Sequence, residues 1–272
     1  MTAGAAAGRP RARTTPWRIW CLGAAVLVAV GALLPPLGTV ARRTEYAAAL
    51  QFSLLAIALP ALVTLGAPWS LLGLARSPHN GGRPRPLDAL ADRRLRHREL
   101  PWSIAFIAVD LVVAAIWHAP GVVASVSSHP WLAVVEAVTL LVLGVGLWLE
   151  LISSPPLVPR SGHLRRAVLA AITMWVFWIL AYLVGLSNHG FYRSFHHVAG
   201  GLSAAADEEI AAVVLWFAAT AAFIPVIFYN ALTWLQSEDD DPDSELLQVA
   251  RAERRRGTAP DLGQDDAPAS GF

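Results

Sequence analysis

The residues most able to do chemistry in this chain are polar groups set inside long apolar runs. Asp110 interrupts the run from Trp102 to His118 near its middle, Glu136 lies seven residues after His129 in the run from Trp131 to Ile152, and Gln51 occupies the run from Tyr46 to Leu74. A carboxylate at bilayer depth costs at least about 2.5 kcal/mol, so each of these groups needs a reason to be there. Asp207, Glu208 and Glu209 open a further apolar run, where a carboxylate also meets the positive end of a helix dipole and can cap its first turn. Histidine clusters with them: His118, His129, His189, His196 and His197 all fall at or beyond the same ends of the runs. Imidazoles and carboxylates together are an N/O donor set suited to a divalent transition metal such as copper. His118, His129, His196 and His197 with Glu136 and Asp207 are the candidate metal residues, and Gln51, Asp110 and Glu208 are further intramembrane or interfacial polar groups. No HExxH or CxxC spacing supports that set, and any single histidine is equally well an interfacial side chain. Sulfur chemistry is excluded more firmly. Cys21 is alone, so there is no internal disulfide or dithiol, and Met1 and Met174 are too few for a methionine relay of monovalent copper.

The elements that position these groups are membrane spans. A helix rises about 1.5 Å per residue and needs roughly 20 apolar residues to cross a hydrocarbon core about 30 Å thick. Six stretches approach or exceed that length: Ile19 to Val40, Tyr46 to Leu74, Trp102 to His118, Trp131 to Ile152, Ala167 to Ser187 and Ile210 to Leu235, the third being the shortest. With 55% hydrophobic and 15% charged residues, a water-soluble fold of 272 residues could not enclose its apolar surface. The expected fold is all-α, a polytopic transmembrane helix bundle of about six spans. The first run is expected to be a retained span, because it is longer than a signal-peptide core and no A-x-A site follows it.

All 21 basic residues are arginine, and 18 of them lie before the first span, between the second and third, between the fourth and fifth, and after the sixth. The positive-inside rule therefore predicts that both termini are cytoplasmic. Trp17, Trp20, Trp69, Trp102, Trp148 and Trp234 fall near the arginine-rich boundaries and Trp117 and Trp131 near the others, as an interfacial belt requires. Trp175, Trp178 and Trp216 sit deeper and are expected to pack between helices. The chain divides into an arginine-rich N-terminus (1–18), a six-span membrane domain (19–236) and an acidic, mostly disordered tail (237–272). Between spans two and three, PHNGGRPRP is expected to be irregular, and LDALADRRLRHREL to form an amphipathic helix on anionic headgroups. A net charge of +1 gives no reason to expect a nucleic-acid partner.

Several of these segments carry a family resemblance. QFSLLAIALPALVTLGAPW from Gln51 to Trp69, WHAP from Trp117 to Pro120, Glu136 with Trp148 following, and DEEIAAVVLW from Asp207 to Trp216 stand in the order and spacing of the CtaG type of cytochrome c oxidase assembly proteins. The resemblance covers roughly residues 46–235, and WHAP and the acidic opening of the last span are its most specific parts. It implies an all-helical protein of the bacterial plasma membrane that acts, without being an enzyme, in making an active heme-copper oxidase, through copper handling or docking at the outer face. Expected partners are then membrane lipid, subunits of that oxidase and further copies of this chain. The chain departs from the family pattern at specific positions. Ala48 and Phe52 stand where the second span carries histidines around its glutamine, Ala133 and Ala137 stand beside Glu136 where histidines are usual, and Glu208 and Leu215 replace a glutamine and a methionine. Of the polar set, Gln51, His118, Glu136 and Asp207 remain. Two other readings of the same residues stay open: a copper or small-solute permease using Asp110, Glu136 and Gln51, and a metal-free scaffold of a respiratory complex.

Overall fold

A computed structural model describes residues 16–72, 74, 86–96, 100–185 and 203–239. The glycine- and proline-rich stretch up to 85, His189, His196, His197 and the tail from 240 lie outside the described residues. The described residues form helices α1 (Pro16–Leu33), α2 (Leu37–Val40), α3 (Glu45–Ser53), α4 (Leu59–Gly66), α5 (Pro68–Leu71), α6 (Pro86–Arg96), α7 (Leu100–Trp117), α8 (Pro120–Ser128), α9 (Pro130–Leu151), α10 (His163–Gly185) and α11 (Ala204–Asp239). A π-helical turn, Leu54–Ala58, joins α3 to α4. Among the described residues there is no strand, only an isolated bridge between Ser154 and Leu157.

Among the described residues five continuous segments are long and apolar enough to cross a membrane: Pro16–Val40, Glu45–Leu71, Pro130–Leu151, His163–Gly185 and Ala204–Ser237. A sixth is reached only when the two bent helical pieces over the shortest run of the sequence are counted as one span. Ser103–Trp117 and Pro120–Val126 are bent by 70° about the His118–Ala119 link. Pro120 explains the break, since it excludes Ala119 from helical geometry and then starts α8 at a first-turn position where its missing N–H costs nothing.

Two other prolines shape the bundle. Pro36 has no N–H to give the Ala32 carbonyl, which is buried at the end of α1, and the Gln51 side chain donates to it instead, Nε2 to O at 2.7 Å. Pro60 likewise leaves the Ala56 carbonyl without its helical donor, and the chain relaxes through the π-helical turn just before it. Trp148 of α9 donates its indole N–H to the Ile57 carbonyl in that turn at 3.1 Å. Gly144, one helical turn earlier on α9, makes this approach possible: a Cβ there would lie 2.6 Å from Pro60 Cγ and 2.9 Å from the Ala56 carbonyl oxygen. Neither a proline ring nor a backbone oxygen can swing aside. Gly144→Val is therefore expected to destabilise the bundle by about 1–3 kcal/mol, read as a lower thermal unfolding midpoint in detergent, whereas Gly23→Val, which meets nothing within 4 Å, should leave it unchanged.

The core runs between α3, the π turn, α9, α10 and α11. Trp148 stacks on Phe223 with ring centroids 5.1 Å apart, Phe223 on Phe177 at 6.1 Å, and Phe177 meets Phe52 at 6.4 Å. Outward-facing Val, Leu, Ile and Phe side chains cover the spans, as a lipid solvent requires. The deep tryptophans meet the sequence expectation only in part. Trp178 packs between α10 and α11, stacked on Trp216 at 5.5 Å and donating to Thr220 Oγ1, with Trp175 tilted against it at 5.7 Å, but Trp175 and Trp216 are 59% and 46% exposed and lie on the outer face of α10 and α11. In hydrocarbon an indole need not be buried to be favourably solvated.

At the arginine-rich end, α6 is amphipathic as expected, yet one face is docked on protein. Ala91 packs with Leu149 and Leu157, and Arg94 pairs with the carboxylate of Glu150 at 2.8 Å. Glu150 is only 1% exposed and also accepts from Ser103 Oγ at 2.7 Å, with Arg160 at 3.7 Å. Burial draws the Arg94 guanidinium below its ordinary value while Glu150 pulls it back up. Arg93 and Arg96 on the opposite face are exposed.

Candidate functional site

Of the polar residues singled out from the sequence, Gln51, His118 and Glu136 line one cavity and Asp207 bonds to the backbone of Glu45, which also lines it, but they do different jobs. Thr44 stands at the N-cap of α3 with extended backbone, but its hydroxyl is turned to donate to the Val40 carbonyl and makes no cap bond, leaving the first N–H groups of α3 without a cap from their own segment. Asp207 supplies it from the far end of the chain: Oδ2 accepts from Glu45 N–H at 2.8 Å and Oδ1 from Tyr46 N–H at 3.0 Å. The acidic opening of α11 thus caps α3, while α11 itself is capped by Ser203, whose Oγ accepts from Ala206 N–H. Asp207 and Glu208 are both buried.

Beneath this cap lies a cavity of about 430 Å³ between α1, α3, α8 and α9. Glu45, Gln51, His118 and Glu136 line it along with aliphatic side chains. His118 Nδ1 sits 3.0 Å from the Ala114 carbonyl, and the ring meets Phe52 edge-on at 4.0 Å. Trp117 ties the same corner to α9 through a 3.0 Å hydrogen bond to Thr139 Oγ1. Gln51 is spent on Ala32, as described above. Replacing it with leucine should strand that buried carbonyl and cost about 1–3 kcal/mol, measured as a drop in unfolding midpoint.

Glu45 was legible in the sequence only as the residue before a span. It is 4% exposed, borders the cavity, and its Oε1 is buried with no hydrogen-bond partner among the described residues. Glu136 also borders the cavity and its carboxylate has no partner among them. His129 does not line this cavity. It stands exposed at the N-cap of α9 with Nδ1 3.2 Å from the Ser125 carbonyl. Asp110 is buried, so it faces the bundle, but it does not line the cavity with Glu136 and Gln51.

Metal fit can be judged on the donors. Among the described residues no three His, Cys, Asp or Glu side chains come together as a set that could hold an ion. Asp207 has both oxygens engaged by backbone, and a phenyl ring meets His118. The positions at which the chain departs from the resembled pattern explain why. Ala48, Phe52, Ala133, Ala137 and Leu215 all line this one cavity. Apolar side chains occupy the places where the resemblance would put histidines and a methionine.

The chain is thus a polytopic helical membrane protein with a mostly apolar cavity under buried carboxylates at one end of the bundle. It belongs to the cytochrome c oxidase caa3 assembly factor family, the CtaG type, whose sequence pattern matches residues 2–237. No curated protein and no solved structure matches it significantly.

Proposed function

We propose that this protein is a non-enzymatic assembly factor that docks on an immature heme-copper oxidase from the outer half of the bacterial plasma membrane, through the arginine-poor end of its bundle, without a resident metal. The arginine asymmetry supports that orientation. The observation that carries the reading is the lining of the cavity: it has His118 and Glu136 but alanine, phenylalanine and leucine where the resemblance would put further donors, and among the described residues no three donor side chains come together. A scaffold of this kind holds oxidase subunits through shape and hydrogen bonding. Deleting the gene should lower oxidase activity several-fold without lowering its transcript, and complementation with His118→Ala should restore it. Normal oxidase activity in the deletion strain would sink the proposal.

Copper as cargo is the second reading, favoured by His118 and Glu136 sharing one cavity, with His196 and His197 as additional nitrogens. It predicts near-stoichiometric copper in untagged protein purified in detergent, lost in His118→Ala and in the His196/His197 double alanine. Copper-free wild-type protein with an intact effect on the oxidase favours the scaffold.

A further inference from the structure

The outward face of α10 and α11 carries polar groups that lipid cannot satisfy. Pro225 stands inside α11 and has no N–H to give the Ala221 carbonyl. Elsewhere in the bundle such carbonyls are answered, that of Ala32 by Gln51 and that of Ala56 by the π-helical turn. No side chain among the described residues donates to Ala221, which is exposed, as is Pro225. Trp175 is the counterpart on α10. Trp69, Trp117, Trp148 and Trp178 donate their indole N–H to other parts of the chain, whereas that of the outward-facing Trp175 meets no acceptor among the described residues. Both Trp175 and Ala221 lie well inside their spans, where neither water nor an acyl chain offers a partner.

The unmet donor and the unmet acceptor share a depth. α10 and α11 run antiparallel, with Gly185 against Ala212 near one end and His163 bonded to Asn230 near the other. Counted inward from the Gly185–Ala212 contact at equal rise, Trp175 comes level with Ala222, beside the Ala221 carbonyl in depth. The two groups also occupy the two halves of one surface. Trp175 tilts against Trp178, which stacks on Trp216 of α11, and Ala221 lies beyond them on α11 with Phe217 and Phe228 exposed to either side. A two-fold axis along the membrane normal preserves depth and sets α10 of one copy opposite α11 of the other, so the surface is complementary to itself and donor meets acceptor twice. We propose that this face is the interface of a homodimer within the bilayer, in which the Trp175 indole of each copy donates to the Ala221 carbonyl of the other. The inference concerns a different surface from the docking reading and does not rest on it.

The test is single-molecule photobleaching of the full chain, labelled at its C-terminus and reconstituted in liposomes over a range of protein densities. A monomer–dimer equilibrium is expected. Trp175→Phe keeps an aromatic ring and removes the N–H, and Pro225→Ala returns an N–H to the Ala221 carbonyl. Each should weaken the dimer about five- to tenfold, the effect of two interhelical hydrogen bonds in a membrane. Because both changes break the same bonds, the double variant should dimerise no more weakly than either single one. Trp216→Phe, which alters the same surface at another depth, should stay within about twofold of wild type. All three positions face outward, and circular dichroism checks each fold; should one of the two interface variants misfold, the other decides. A chain that is monomeric at every density, single variants that dimerise like wild type, or effects that multiply in the double variant overturn the proposal.

Discussion

Glu150→Ala is expected to destabilise the bundle by about 3–5 kcal/mol, because it removes the one partner shared by several groups held out of water. Arg94 would keep its buried position with no carboxylate, Ser103 Oγ would lose its acceptor, and Arg160 would lose its nearest counter-charge. The Arg94 and Arg160 side chains are 11% and 18% exposed, so neither charge is freely solvated, and Arg94 cannot reach water without lifting α6 away from Leu149 and Leu157, to which Ala91 packs. The readout is therefore twofold: a lower thermal unfolding midpoint in detergent, and faster amide exchange in α6 at temperatures where the spans remain protected. A double variant, Arg94→Met with Glu150→Leu, should recover much of the loss, since apolar side chains of similar size replace a buried ion pair at little cost. A change below about 1 kcal/mol in Glu150→Ala would mean the pair behaves as a surface pair.

Asp207→Ala should rank next, at about 2–4 kcal/mol, because two backbone N–H groups at the start of α3 lose their acceptor together and Thr44 is already committed elsewhere. The loss is concentrated at Glu45, whose N–H is buried, and is smaller at Tyr46, whose bond is partly exposed. Asp207→Asn keeps one acceptor oxygen and should lose roughly half as much. The pair of variants separates a cap from a metal ligand. If Asp207 is a cap, unfolding midpoints follow the order wild type, Asn, Ala. Were it a ligand, both variants would fold like wild type and copper content alone would change.

The α6 segment illustrates how far sequence reasoning reaches. Its apolar and arginine positions predict an amphipathic helix, and a helix forms there, but the same pattern fits a helix lying on headgroups and one clamped to protein. Glu150 decided between them, and in the sequence it is only a carboxylate at the end of an apolar run. A signal existed: a lone acid at the arginine-rich end of a span, followed in the chain by the loop that carries Arg160. Trp175 and Trp216 show the converse, since burial cannot be inferred from depth when lipid is the solvent.

The all-α class, five to six membrane-crossing helices and the end of the third run at His118 were readable from residue types alone, because transfer of side chains to hydrocarbon sums locally along a helix and proline acts on its immediate neighbours. Family membership was readable too, from short motifs in fixed order. The tertiary structure alone determined which polar groups are spent and which remain open. Asp207 caps a helix 162 residues away, Glu150 holds Arg94 across 56, and Gln51 repairs a carbonyl orphaned by Pro36, leaving Glu45 and Glu136 to face the cavity. Hydrogen-bond and ion-pair partners are chosen by proximity after packing, and no local property of the chain encodes that choice.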